Sequence, residues 1–274
     1  MFLDLLQYGF VQRAILGGII IALSCALIGT FLVLRRLSLI GDGIAHLAFG
    51  GIAVGMLLGI QPLLVALVVA VFGSIWVQRV VTKLHVYGEA AIAVIIALGM
   101  SVGIVIIGAV KGFTVDLFSF LFGSILTLNT TDLALSAGVL AATLLFIGTQ
   151  YRKLLLLSFN EDLARTHGIR AERINLLLGA LTAATVVIAI RAVGILLVSA
   201  LLVIPTITAL QLARSFRQTL LLAIFSSLIA VFVGITLALW LDLPVGGLIV
   251  LTLIAEFAGA LGYKHLSTRT MGSA

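Results

Sequence analysis

Asp42 and His46 stand four residues apart in an apolar run, RRLSLIGDGIAHLAFGG over residues 35–51. On a helix that spacing puts a carboxylate and an imidazole on one face, about one turn apart. Both are intermediate ligands able to take Mn²⁺, Zn²⁺ or Fe²⁺. The residues that follow, 47–60, are almost wholly apolar, so the segment is long enough to enter a bilayer. An ionisable group near the middle of such a helix costs roughly 2.5–3.5 kcal/mol on insertion scales, which makes it a functional candidate by default. The competing readings are structural: Asp42 could stabilise the helix start or pair with Arg35 or Arg36, and His46 could be a satisfied core histidine. Glu256, in a later apolar run, is a second intramembrane carboxylate, which either joins an ion path or pairs with a neighbouring helix.

The surrounding chain has the composition of a membrane protein. Of its 274 residues 62% are hydrophobic and only 9% charged, with a mean hydropathy of +1.34, whereas a soluble domain carries about a quarter of its residues charged. The expected architecture is all-α: a polytopic bundle of about eight or nine transmembrane helices in one domain over residues 1–274, each span needing about 20 residues. The spans are expected at about 14–34, 40–59, 63–77, 90–110, 133–149, 174–190, 193–212, 220–241 and 245–261. Residues 1–12 suit a short interfacial helix, with no cleavable signal peptide. Residues 112–131 are too short in their apolar part to span and too apolar for a solvated loop, so they read as a re-entrant or interfacial segment. Gly99 and Gly103 have a small-xxx-small spacing that allows close helix approach.

Placing the loop after the first span in the cytoplasm puts 13 of the 16 basic residues inside, Arg13, Lys111 and Arg191 being the exceptions. The positive-inside rule then gives an outer amino terminus and an inner carboxyl terminus, and it accounts for the net charge of +6 without nucleic acid. Arg191, at an outer turn, is expected to snorkel or hold Asp242. Ser199, Pro205, Thr206 and Thr208 predict a kink whose freed carbonyls find hydroxyl partners. His85, His167 and His265 fall in predicted solvated loops.

The polar loop over residues 151–173 contains SFNEDLARTHG, which reads as a short helix over about 158–168. Ser158 caps it, Glu161 completes a capping box and Gly168 supplies the stop. So short a helix is not stable alone in water, and Phe159, Leu163 and Ala164 offer apolar contact amid charges, which suits docking into a partner's groove or lying on the bilayer surface.

Three stretches carry a family resemblance: GTFLVLRRLSLIGDGIAHLAFGGIAVG (29–55), LLLLSFNEDLARTHGI (154–169) and VGILLVSALLVIPTITALQLA (193–213), with DLFSFLFGSIL (116–126) as a fourth. They resemble the inner-membrane permeases of ABC importers for transition metals such as zinc and manganese. The resemblance implies a homodimeric permease, two cytoplasmic ATP-binding subunits, an extracytoplasmic metal-binding protein and import as the direction of transport. It places the family's Asp-xxx-His on Asp42 and His46, and its ATPase-coupling helix on residues 158–168. The cargo would be Zn²⁺ or Mn²⁺, with Fe²⁺ possible, and no permanently bound cofactor is expected. The sequence has no G-x-x-x-x-G-K-[ST] phosphate loop, so the expected chain is not an enzyme and a partner hydrolyses the ATP. Three rivals stay open: a permease for metal chelates or cobalamin, an intramembrane metalloenzyme, and an ion-coupled secondary transporter working alone.

Overall fold

The structure, a computed structural model, describes residues 8–84, 87–109 and 120–271. Among the described residues it is all-helical, and nine helices are long and apolar enough to cross a membrane. They are α1 (Gly9–Leu34), α2 (Ile40–Leu58), α3 (Pro62–Leu84), α4 (Gly88–Ala109), α5 (Thr130–Phe159), α7 (Ala171–Val193), α8 (Ile195–Leu212), α9 (Phe216–Leu241) and α10 (Val245–Met271), with the short α6 (Glu161–Thr166) between α5 and α7. The expected spans are all present. The chain is therefore a multi-pass membrane protein.

α1 and α2 are the innermost spans, with 72% of each apolar window buried against 22% in α5. α1 is enclosed by α5, α7, α8 and α9, while α2 packs on α3 and α4 and meets α7 and α8 along its other side. Lipid tails are as apolar as the helices, so no hydrophobic drive pulls spans together and association depends on close packing of small residues. α2 carries five glycines in 19 residues. A Cβ on Gly51 would lie 2.8 Å from Ala66 Cα of α3, and one on Gly50 2.8 Å from Gly99 O of α4, so backbone meets backbone on both sides.

The turn that leads into α2 is tight. Arg36 adopts a left-handed conformation, φ 58°, its N–H donates to Val33 O at 3.0 Å, and Leu37 N–H donates to Leu32 O at 2.8 Å. That is the Schellman pattern usually closed by glycine.

The expected interfacial helix over 1–12 lies outside the described residues up to residue 7, and from Gly9 the chain already belongs to α1. Residues 112–119 of the expected re-entrant segment, and His85, also lie outside the described residues. Its remainder does not cross: a 3₁₀ turn at Ile125–Thr127 leads into α5, Ile125 is buried, and the turn packs on α1 and α7. Ser124 N–H donates to Arg191 O at 3.0 Å, fixing the segment to the end of α7. α5 then begins with a reciprocal capping box between Asn129 and Asp132.

Candidate metal pathway and docking helix

Asp42 lies in the first turn of α2, and His46 follows about 6 Å along the axis at 1.5 Å per residue. His46 Nε2 is 3.6 Å from Asp42 Oδ1, and the side chains are 14% and 31% exposed. A bite of 3.6 Å subtends roughly 115–120° at an ion held about 2.1 Å from each donor, close to what four-coordinate geometry requires. His46 Nδ1 is buried without a hydrogen-bond partner. Among the described residues no third His, Cys, Asp or Glu gathers with them. One chain thus brings together two donors, half of a tetrahedral set.

The pair is held from behind by the backbone of α4. A Cβ on Gly99 would lie 2.3 Å from His46 O and 2.5 Å from Leu47 Cα, and one on Gly103 would lie 2.4 Å from the Phe49 ring. The small-xxx-small spacing is therefore a genuine crossing, with the donor-bearing helix as its partner. Asp42 has His46 as its ion-pair neighbour, while Arg35 is engaged elsewhere.

At the end of the bundle where α2 begins, a cavity of about 870 Å³ is lined by Arg35, Arg36, Arg79, Arg165, Arg170 and Arg173, together with Glu161 and Glu172. α6 forms one wall. Its start differs from the expected capping box: α5 runs unbroken to Phe159, so Ser158 is still helical and its hydroxyl donates to Leu154 O at 2.8 Å. Asn160 is the cap, accepting from Leu163 N–H at 2.9 Å. Gly168 does end the turn, with φ 75°. Phe159 and Leu163 are 71% and 45% exposed, whereas Ala164 is buried. Leu163 of α6 and Phe159, the last residue of α5, thus stand as exposed apolar side chains on either side of the Asn160 cap, while Ala164 packs inward.

Glu161 does not reach its own helix cap. It accepts from Arg165 Nη2 at 2.7 Å and from Arg35 Nη2 at 3.3 Å, while Arg35 Nη1 donates to Asn175 Oδ1 at 2.7 Å. Burial lowers the Arg35 pKa, and the charge and hydrogen bond of Glu161 offset only part of that shift. Sequence reasoning missed Asn160, Asn175 and the role of Arg35. Only Asn160 had a local signal, as a cap residue directly before two acids.

Elsewhere, Glu256 accepts a hydrogen bond from Ser226 of α9, and its second oxygen is buried and unpartnered. Its helix packs on α8 and α9 rather than on the donor-bearing α2. Arg191 pairs with Asp132, not with Asp242, because the buried start of α5 packs beside the end of α7; Asp242 instead ends α9 in a left-handed conformation, φ 54°. Pro205 sits inside α8, with Thr208 Oγ1 donating to Ile204 O at 2.8 Å and Thr206 Oγ1 3.4 Å from Thr30 Oγ1 of α1.

The chain is similar to known proteins over most of its length. The chain is 33% identical over 261 residues to the manganese transport system membrane protein MntC of Halalkalibacterium halodurans, covering 95% of this chain and 89% of that one. It is 34% identical over 252 residues to the manganese import system permease protein ScaB of Streptococcus parasanguinis, covering 92% and 90%. Its fold matches a chain of the PsaBC complex of Streptococcus pneumoniae, solved with a Fab, at a TM-score of 0.85 and 31% identity over 94% of each chain. The profile of the ABC 3 transport family matches residues 7–264, and the chain belongs to that family.

Proposed function

We propose that the chain is the transmembrane permease subunit of an ABC importer that passes a divalent transition metal, Mn²⁺ before Zn²⁺, into the cytoplasm. The observation that carries this reading is the 3.6 Å Asp42–His46 pair on a central span of a chain in this family. Two donors are too few to hold a stripped ion, and a second copy about a two-fold axis would supply the other two. Oxygen and nitrogen donors accept several divalent metals, and the relatives named for manganese put that ion first. Glu256 is assigned a structural role against Ser226 before any part in the path.

The arginine-rich end is assigned to the cytoplasm by the positive-inside rule, which leaves the amino terminus outside after nine crossings. There Phe159 at the end of α5 and Leu163 of α6 would meet a separate ATP-binding subunit, while a metal-binding protein delivers the ion on the far side. ATP-driven rocking of the two copies would expose the donor set to one side at a time. Differential ligation in the two states would prevent a leak.

The test is Mn²⁺ uptake in cells lacking their own importer, with the ATPase and metal-binding protein co-expressed. At matched membrane levels, Asp42→Ala and His46→Ala are expected to lower uptake at least tenfold. Full uptake in both variants would remove the site, and uptake by reconstituted permease without ATPase would favour a secondary transporter.

A further inference from the structure

Arg35 differs from the other arginines at its end of the bundle. Arg36, Arg79, Arg165, Arg170 and Arg173 are exposed, and exposed charge is all that the positive-inside rule requires. The Arg35 side chain is only 7% exposed. A buried guanidinium is retained only where it is paired and hydrogen-bonded. Arg35 has two such partners on two different elements: Glu161 of α6 and Asn175 of α7.

The position of Arg35 in the chain gives that link a direction. It directly follows α1, and the turn after it is stiffened by the bonds from Arg36 and Leu37 back into α1 and by Ile40 N–H donating to Leu37 O at 3.1 Å. α2 starts at Ile40, and Asp42 is in its first turn. Force on Glu161 therefore reaches the start of the donor-bearing helix through one side chain and one rigid turn. α6 itself packs on α5 and α7, so the Arg35–Glu161 pair is its link to the α1–α2 turn. The same short helix carries exposed Leu163, and exposed Phe159 ends α5 just before its cap.

We infer that Arg35 is a positioning residue that transmits movement of α6, driven by a docked ATPase, to the Asp42–His46 pair, so that its loss uncouples ATP hydrolysis from metal movement. The inference rests on the function proposed above. A planar guanidinium can serve both acceptors at once, whereas a lysine ammonium offers a point charge without that fork. Arg35→Lys keeps the charge and most of the packing and is the discriminating variant.

The experiment uses the complete transporter in proteoliposomes, with Mn²⁺ and its binding protein, and reads Mn²⁺ taken up per ATP hydrolysed. That ratio does not depend on the amount of folded protein. Arg35→Lys and Arg35→Gln are expected to keep the ATPase bound and hydrolysing within about twofold of normal while the ratio falls at least tenfold. Adding Glu161→Gln to Arg35→Gln should lower it no further, because both changes remove one link. If Arg35→Gln does not accumulate, Arg35→Lys and Asn175→Ala carry the test, the latter removing one of the two acceptors and giving an intermediate ratio. An unchanged ratio in Arg35→Lys, or loss of the ATPase from that complex, overturns the inference. Failure of the unaltered transporter to move Mn²⁺ with ATP would instead overturn the functional reading, and this inference with it.

Discussion

Substituting Gly99 by alanine tests whether the close crossing of α4 on α2 sets the geometry of the donor pair. The added methyl carbon would lie 2.3 Å from His46 O, 2.5 Å from Leu47 Cα and 2.7 Å from His46 C, all of them backbone atoms that cannot rotate away. Ordinary contact begins near 3.4 Å, so the helices must separate by about 1 Å or α2 must shift, since packed helices sit at a defined spacing. Overpacking of this kind costs about 1–3 kcal/mol. Metal sites tolerate only about 0.2 Å in ligand distance, so a displacement of that size at His46 should lower Mn²⁺ uptake at least tenfold at matched membrane levels. The thermal midpoint of the purified protein should also fall, by roughly 2–4 °C per kcal/mol. Gly138→Ala is the control: nothing lies within 4 Å of that position, and uptake and midpoint should hold. If Gly99→Ala matches Gly138→Ala in both assays, the crossing does not set the site and the reasoning fails.

Three further outcomes follow from local geometry. Arg36→Gly should raise the unfolding midpoint, because it relieves a non-glycine residue at φ 58°, a strain of about 1–2 kcal/mol; an unchanged or lower midpoint would count against the strain. Asp132→Asn should destabilise by about 1–3 kcal/mol, since it removes the charge facing Arg191 and leaves one amide oxygen for the two donors Arg191 and Asn129 N–H, whereas Asp242→Asn should be near neutral; thermal unfolding of both variants decides this. Asn160→Ala should loosen α6 by about 1 kcal/mol, seen as faster amide exchange over residues 161–166, while Ser158→Ala leaves exchange there unchanged.

The spans were legible because lipid demands about 20 apolar residues whatever the neighbours are. Hydropathy marks where lipid ends, not where a helix ends. The fifth span was expected to stop at Thr149, but α5 continues through Arg152 and Lys153 to Phe159. That extra length displaced the cap from Ser158 to Asn160: both offer a suitable oxygen, and the choice depends on how far the preceding hydrogen-bond ladder runs. The Asp42–His46 pair was legible because it is one turn long. The Arg35–Glu161 pair spans 126 residues and Arg191–Asp132 spans 59, so no local pattern could announce either. Gly99 and Gly103 showed that some helix comes close without showing that it is α2.

The glycines of α2 divide its surroundings into two kinds of contact. Towards α3 and α4 the close approaches at Gly50, Gly51 and Gly55 are to main-chain atoms, Ala66 Cα, Pro62 Cα and Gly99 O, none of which yields. Towards α8 the nearest atom to Gly41 is Leu202 Cδ1, the far end of a side chain that can change rotamer. The later turns of α2 are thus locked to α3 and α4, whereas near its start Gly41 and Gly43 approach the side chains of Leu202 and Ile92 most closely. In the proposed importer, a rigid movement of α2 would carry Asp42 and His46 together and leave their mutual distance unaltered.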